Sequence, residues 1–136
     1  YVTCPKGAIL DVIVDIRVGS PTFGTYDTVL LDDVDRRAVY LSEGLGHAFC
    51  ALEDGSTATY LCSTGYNPGA EHGINPLDPE LGIEWPTLAR DGSPLVYELS
   101  EKDTAAPGLT AARESGLLPD YADVTAYLWS LAEEAS

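Results

Sequence analysis

Ala8-Ile9-Leu10-Asp11-Val12-Ile13-Val14-Asp15-Ile16 is the stretch from which the fold can be read. Val and Ile lose side-chain freedom in a helix and pack well on a pleated sheet, so their density here selects a strand. At a repeat of two, Ala8, Leu10, Val12, Val14 and Ile16 share one face, and Ile9, Asp11, Ile13 and Asp15 share the other. Asp11 stands among isoleucines, and a carboxylate on such a face needs a partner. Downstream, Gly19-Ser20-Pro21 marks a turn and Thr25 to Leu31 reads as a second strand. Arg37 to Leu41 resumes strand character after Asp32-Asp33. His47 to Leu52 and Thr57 to Cys62 predict a hairpin around Glu53-Asp54-Gly55-Ser56, because Asp-Gly favours the backbone of tight hairpin turns. Short strands separated by Gly-rich turns predict a mainly β jelly-roll barrel or sandwich. Tyr1-Val2-Thr3-Cys4 reads as the inside of a strand, with no turn before it.

After Tyr66 the texture changes. Asn67 to Pro94 is rich in Pro, Gly and Asn, which predicts a long excursion over one barrel mouth. Ser100 is placed to cap a helical turn, with Asp103 at its third position. Asp120 is placed to cap a longer helix in which Tyr121, Val124, Leu128 and Leu131 recur at helical spacing. The expected organisation is therefore a single domain: barrel strands over 1–66, a loop-rich segment carrying site residues over 67–107, and a C-terminal helical segment over 108–136.

The 136 residues are 45% hydrophobic and 21% charged, an ordinary globular balance. Twenty-two acidic residues against seven basic ones give a formal net charge of −15. Such a chain is a poor partner for nucleic acid, whose phosphates need clustered Lys and Arg. The same charge requires that any anionic ligand be met by a few well-aimed cations. No apolar run is long enough to span a bilayer. Cys4, Cys50 and Cys62 lack disulfide or zinc spacing, which predicts reduced thiols acting as small hydrophobes, and a cytoplasmic protein. His47 and His72 lie in separate segments with no ligand-spaced neighbours, which argues against a metal site.

The residues that suit proton transfer beside a carbonyl are few. His47 opens a strand and shares parity with Phe49 and Ala51, so it faces an interior, as a core histidine or as a site residue. Tyr60 shares a face with the small Ala58 and Cys62, which leaves room around its phenol. A core tyrosine bonded to backbone fits that pattern as well. Tyr66, before Asn67-Pro68, reads as an exposed aromatic able to stack on a flat ligand. Glu71, Lys102 and Asp103 are loop or helix-end charges for which local spacing names no role. Composition and spacing alone reach a β-barrel domain with an acid–base pocket and stop there.

Taken together, several motifs resemble the dTDP-4-dehydrorhamnose 3,5-epimerase (RmlC-type cupin) family. They are Gly19-Ser20-Pro21-Thr22-Phe23-Gly24, then Glu43-Gly44-Leu45-Gly46-His47-Ala48-Phe49 with the small residues beside the histidine exchanged, then Tyr60 with Tyr66-Asn67-Pro68. Asp78-Pro79 through Ile83-Glu84-Trp85-Pro86 and Leu99-Ser100-Glu101-Lys102-Asp103 continue the match in order. The resemblance implies a cupin-type jelly roll whose first strands precede Tyr1. It implies a cofactor-free and metal-free homodimer that epimerises dTDP-4-keto-6-deoxy-glucose at C3 and C5, or at one of them, through an enolate, in deoxysugar biosynthesis. By that resemblance Tyr60 is the proton donor and Asp103 orients the base histidine. His47, Glu71 and Lys102 contact substrate, and Tyr66 stacks on the thymine. The family's base histidine and enolate-stabilising lysine fall before the residue matching Tyr1. The alternative expectation is therefore a catalytically incomplete cupin that binds a nucleotide sugar without turning it over.

Overall fold

In the computed structural model, which describes residues 1–136, strand β2 (Ala8–Asp15) lies between two antiparallel neighbours, β3 (Tyr26–Asp32) and β5 (Leu45–Ala51). A second three-stranded sheet runs β4 (Ala38–Val39), β1 (Val2–Lys6) and β6 (Thr57–Tyr60). Three helices follow: α1 (Glu101–Ala105), α2 (Leu109–Glu114) and α3 (Tyr121–Glu134).

Both faces of β2 are covered, which explains its nearly unbroken apolar sequence. Ile9 packs between the sheets against Val2, Cys4 and Leu31. Val12 and Val14, on the opposite face, pack with Leu81 and Leu109. The polypeptide around residues 74–85 thus acts as a lid on the outer face of the sheet. The Trp85 indole donates to the carbonyl of Pro76 at 2.9 Å, and the Glu84 amide donates to the Tyr26 hydroxyl at 3.1 Å.

The expected hairpin does not form. β5 pairs with β2 and β6 pairs with β1, so the Asp-Gly turn carries the chain from one sheet to the other. The turn itself is real: Gly55 has φ +72° and the Ser56 amide donates to the Glu53 carbonyl. What redirects it is a long-range clamp. The Ser56 hydroxyl accepts from the Ala8 amide at 3.2 Å and lies 3.0 Å from the Ala8 carbonyl, tying this corner to the β1–β2 corner. There Gly7 has φ +79°, and a Cβ would stand 2.5 Å from the Ser56 hydroxyl, so only glycine fits. In β1 the register with β6 breaks between Thr3 and Lys6, where Pro5 has no amide to donate.

Strand β4 is shorter than the expected Arg37–Leu41, and β6 ends before Cys62. Cys62 is therefore an exposed thiol rather than a packed one, whereas Cys4 is buried. Both expected caps are present. Ser100 accepts from the Asp103 amide, and Asp120 accepts from the amides of Ala122 and Asp123. No helix is long and apolar enough to cross a membrane.

One polar node fixes the end of β2. Asp15 is buried and accepts from the Arg17 guanidinium at 2.9 Å through both carboxylate oxygens, and from the hydroxyls of Ser20 and Thr22 at 2.5 Å. The guanidinium, followed by the two hydroxyls, holds the Asp15 carboxyl far below the usual carboxylate range. Arg17 then lies 5.0 Å over the Tyr121 ring, and Val18 exchanges backbone hydrogen bonds with Pro119 and Tyr121. Through this node the helix α3 is anchored to the sheet.

Candidate active site

The cross-strand register of β2 and β5 sets Asp11 opposite Phe49 and Ile13 opposite His47, so all four side chains stand on one face. On that face His47 reaches diagonally to Asp11. The His47 Nε2 lies 2.6 Å from Asp11 Oδ1, which answers the demand for a partner that the sequence raised. Asp11 is fully buried, and its Oδ2 has no partner within the chain. The imidazole side chain is 26% exposed and makes no other hydrogen bond. Phe49 lies beside it, with ring centroids 6.0 Å apart.

Tyr60, the last residue of β6, stands edge-on to His47 with centroids 6.3 Å apart. It is 55% exposed and its hydroxyl bonds to nothing in the chain, so it is not a core tyrosine. His47 and Tyr60 share the wall of an open cavity of about 1190 Å³, to which α1 adds Lys102 and Asp103 and the preceding loop adds His72. The Ser100 cap sets the position of α1: the Asp103 amide donates to the Ser100 hydroxyl at 3.0 Å, which leaves the Asp103 carboxylate free of partners in the chain. Among the lining residues the carboxylates are Glu53, Asp54, Asp91, Glu98 and Asp103, and Lys102 is the single Lys or Arg. An anionic ligand would therefore meet one cation from this wall.

Two of the sequence-derived candidates lie away from this group. Tyr66 is 83% exposed on the loop after β6, and Glu71 accepts a 3.4 Å hydrogen bond from the Asn67 amide; neither lines the cavity. The chain contains no cluster of three or more His, Cys, Asp or Glu side chains spaced to hold a metal ion.

The sequence profile described as dTDP-4-dehydrorhamnose 3,5-epimerase matches residues 1–111. The chain belongs to the dTDP-4-dehydrorhamnose 3,5-epimerase family. Its architecture is that family's cupin fold. It superposes on the RmlC epimerase of Mycobacterium tuberculosis with a TM-score of 0.87 at 52% identity, covering 95% of this chain and 62% of that one. It is similar to a dTDP-4-dehydrorhamnose 3-epimerase of Streptomyces niveus, 58% identical over 122 residues, which are 90% of this chain and 56% of that protein. ChmJ of Streptomyces bikiniensis, a 3'-monoepimerase solved in complex with dTDP-quinovose, aligns at a TM-score of 0.80 and 48% identity over 98% of this chain and 62% of its own. The chain spans about three-fifths of the length of the curated relatives it matches.

Within this epimerase-family cupin, Asp11 is the site residue that sequence reasoning left without a role. Two signals pointed to it: a carboxylate on an isoleucine face, and one histidine of interior parity in a nearby strand. Their pairing depends on the β2–β5 register, across 36 residues of sequence.

Proposed function

We propose that this chain forms the proton-donor and substrate-holding part of a dTDP-4-keto-6-deoxyhexose epimerase that inverts C3 and C5, or one of them, in deoxysugar biosynthesis. The observation that carries this reading is the placement of Tyr60, with an unbonded hydroxyl, beside the His47–Asp11 pair in a cavity that Lys102 and Asp103 also enter. A ketone at C4 acidifies the hydrogens on C3 and C5. Removal of either gives an enolate, which needs a positive or hydrogen-bonding environment at its oxygen. Return of a proton to the opposite face completes the inversion.

Tyr60 is the acid in this scheme. Its exposed phenol projects from a strand end, where the backbone is fixed, and its neighbours leave it free to reach a sugar carbon. Asp103 orients the base histidine, which in the family pattern lies upstream of the residue matching Tyr1. Its carboxylate has no partner in this chain and so is available for that contact. Lys102 meets negative charge on the ligand, and His47 contacts the sugar. Tyr66 and Glu71, on the loop beyond β6, serve the nucleotide: Tyr66 stacks on the thymine, and its high exposure supplies an open aromatic face. The protein works as a homodimer in the cytoplasm, without cofactor or metal.

The deciding experiment incubates the protein, with the upstream base histidine of the family pattern included, with dTDP-4-keto-6-deoxy-glucose in deuterium oxide and follows the sugar by proton NMR. Loss of the C3 or C5 proton signal, with a new stereoisomer, is the expected result, and the carbon that exchanges defines the specificity. Binding of dTDP with no exchange would instead establish the binding-only cupin.

A further inference from the structure

Asp11 is fully buried, its Oδ2 has no partner in the chain, and its single side-chain partner is His47 at 2.6 Å. Across the sheet its neighbours are Val29 and Phe49, both apolar. A carboxylate anion in such a place, held by one neutral hydrogen bond, is costly, and one added proton on the pair removes the net charge. On the two bonded atoms that proton has two placements. In one, Asp11 is ionised and His47 is an imidazolium, whose Nε2–H donates to Oδ1 while Nδ1 carries the second hydrogen. In the other, the Asp11 hydroxyl donates to Nε2, and the neutral ring must carry its hydrogen on Nδ1. Both place a hydrogen on Nδ1. A proton on Oδ2, with Nε2–H donating to Oδ1, would leave Nδ1 bare, but it would bury an O–H donor with no acceptor in the chain. The 2.6 Å separation, shorter than an ordinary N–H···O bond, fits a charge-assisted contact.

We infer that Asp11 is a positioning residue that keeps a hydrogen on His47 Nδ1, so that His47 donates a hydrogen bond to the carbonyl oxygen of the bound keto-sugar instead of taking a proton from it. Nδ1 has no acceptor in the chain, and the ring sits in the cavity wall next to Tyr60. A fixed donor there stabilises the charge that gathers on the oxygen as the enolate forms, while Tyr60 handles the proton at carbon. The inference rests on the epimerase reading for the identity of the oxygen, and on Asp11 burial alone for the hydrogen.

The test is nitrogen-15 NMR of the uniformly labelled protein at pH 7. Comparison with His47→Asn, which lacks the His47 ring, assigns its signals. A protonated, pyrrole-type Nδ1 is expected; a bare, pyridine-type Nδ1 with hydrogen on Nε2 would overturn the inference. In Asp11→Asn the amide oxygen can accept from Nε2–H, so the Nδ1 hydrogen is expected to be lost in a fraction of the molecules, with kcat for exchange falling by that fraction. An Nδ1 signal and a kcat that are both unchanged would mean that Asp11 only packs. Removing the ring in His47→Ala should lower kcat for solvent exchange on the order of a hundredfold, the cost of one oxyanion donor. Should Asp11→Asn fail to fold, His47→Asn keeps an amide N–H near the Nδ1 position without Asp11. It should retain more exchange than His47→Ala, and equal rates would refute the donor role. Absent exchange with a protonated Nδ1 would defeat the epimerase reading alone. Exchange with a bare Nδ1 would defeat this inference alone.

Discussion

Replacing Asp15 with asparagine removes one charge and changes almost no volume, so it isolates what the polar node at the end of β2 contributes. The carboxylate accepts from Arg17 Nε and Arg17 N on Oδ1, and from an Arg17 terminal nitrogen, Ser20 and Thr22 on Oδ2. An amide cannot reproduce this set. Whichever way it flips, its NH₂ faces at least one guanidinium N–H, because the guanidinium approaches both oxygens. Losing one charge-assisted hydrogen bond costs about 1.5–3 kcal/mol. Arg17 is partly exposed, so water relieves its unpaired charge and the full penalty of a buried ion does not apply. The expected destabilisation is therefore about 2–3 kcal/mol. For a chain of this size that is a fall in Tm of roughly 6–15 °C. Urea unfolding should show a lower midpoint at unchanged slope. Hydrogen exchange should quicken in α3, which Arg17 and Val18 anchor. A double-mutant cycle with Arg17→Gln should return a coupling of about 1 kcal/mol or more. A loss below about 0.5 kcal/mol, the range of ordinary surface substitutions, would refute the reasoning.

In a chain completed upstream with the base histidine, Tyr60→Phe should sharply reduce the return of a proton to the sugar while the dissociation constant for dTDP stays within error in calorimetry; unaffected turnover would remove Tyr60 from the acid role. Tyr66→Ala should weaken dTDP binding by about 1–3 kcal/mol if its ring stacks on the base, and the same titration reads it. Gly7→Ala should destabilise by about 2–4 kcal/mol in thermal or urea unfolding, from the left-handed backbone together with the approach to Ser56. Asp15 has a folded pKa held below its unfolded value, principally by Arg17, so its stabilisation is present above the ordinary carboxylate range and is lost as pH falls below it. Wild-type Tm should therefore drop steeply on acidification below about pH 4, and the Asp15→Asn protein should show a shallower fall.

Much of the β framework was legible because the strands are marked locally. β2 announces itself through its β-branched run, and the helix caps Ser100 and Asp120 are read from single residues and their spacing. The hairpin expectation failed for a non-local reason. Asp54-Gly55 fixes a turn, but which sheet the next strand joins is decided by the Ser56 clamp on Ala8, 48 residues away. The site divides in the same way. The sequence marks His47 and Tyr60 by parity and by small neighbours, and it flags Asp11 as a carboxylate needing a partner. It does not contain the β2–β5 register that joins Asp11 to His47, nor the end of β6 that exposes Tyr60 beside them. Tyr66 and Glu71 are local to one loop, and folding leaves them off the cavity wall.

The most direct measurement is a crystal structure of the protein with a dTDP-sugar bound. The account predicts the sugar in the cavity between His47 and Tyr60, with the Tyr60 hydroxyl directed at a ring carbon, Lys102 on the phosphate side and the Tyr66 ring against the base. A sugar lodged away from the His47–Tyr60 wall, or a nucleotide bound with its sugar in solvent, would contradict it.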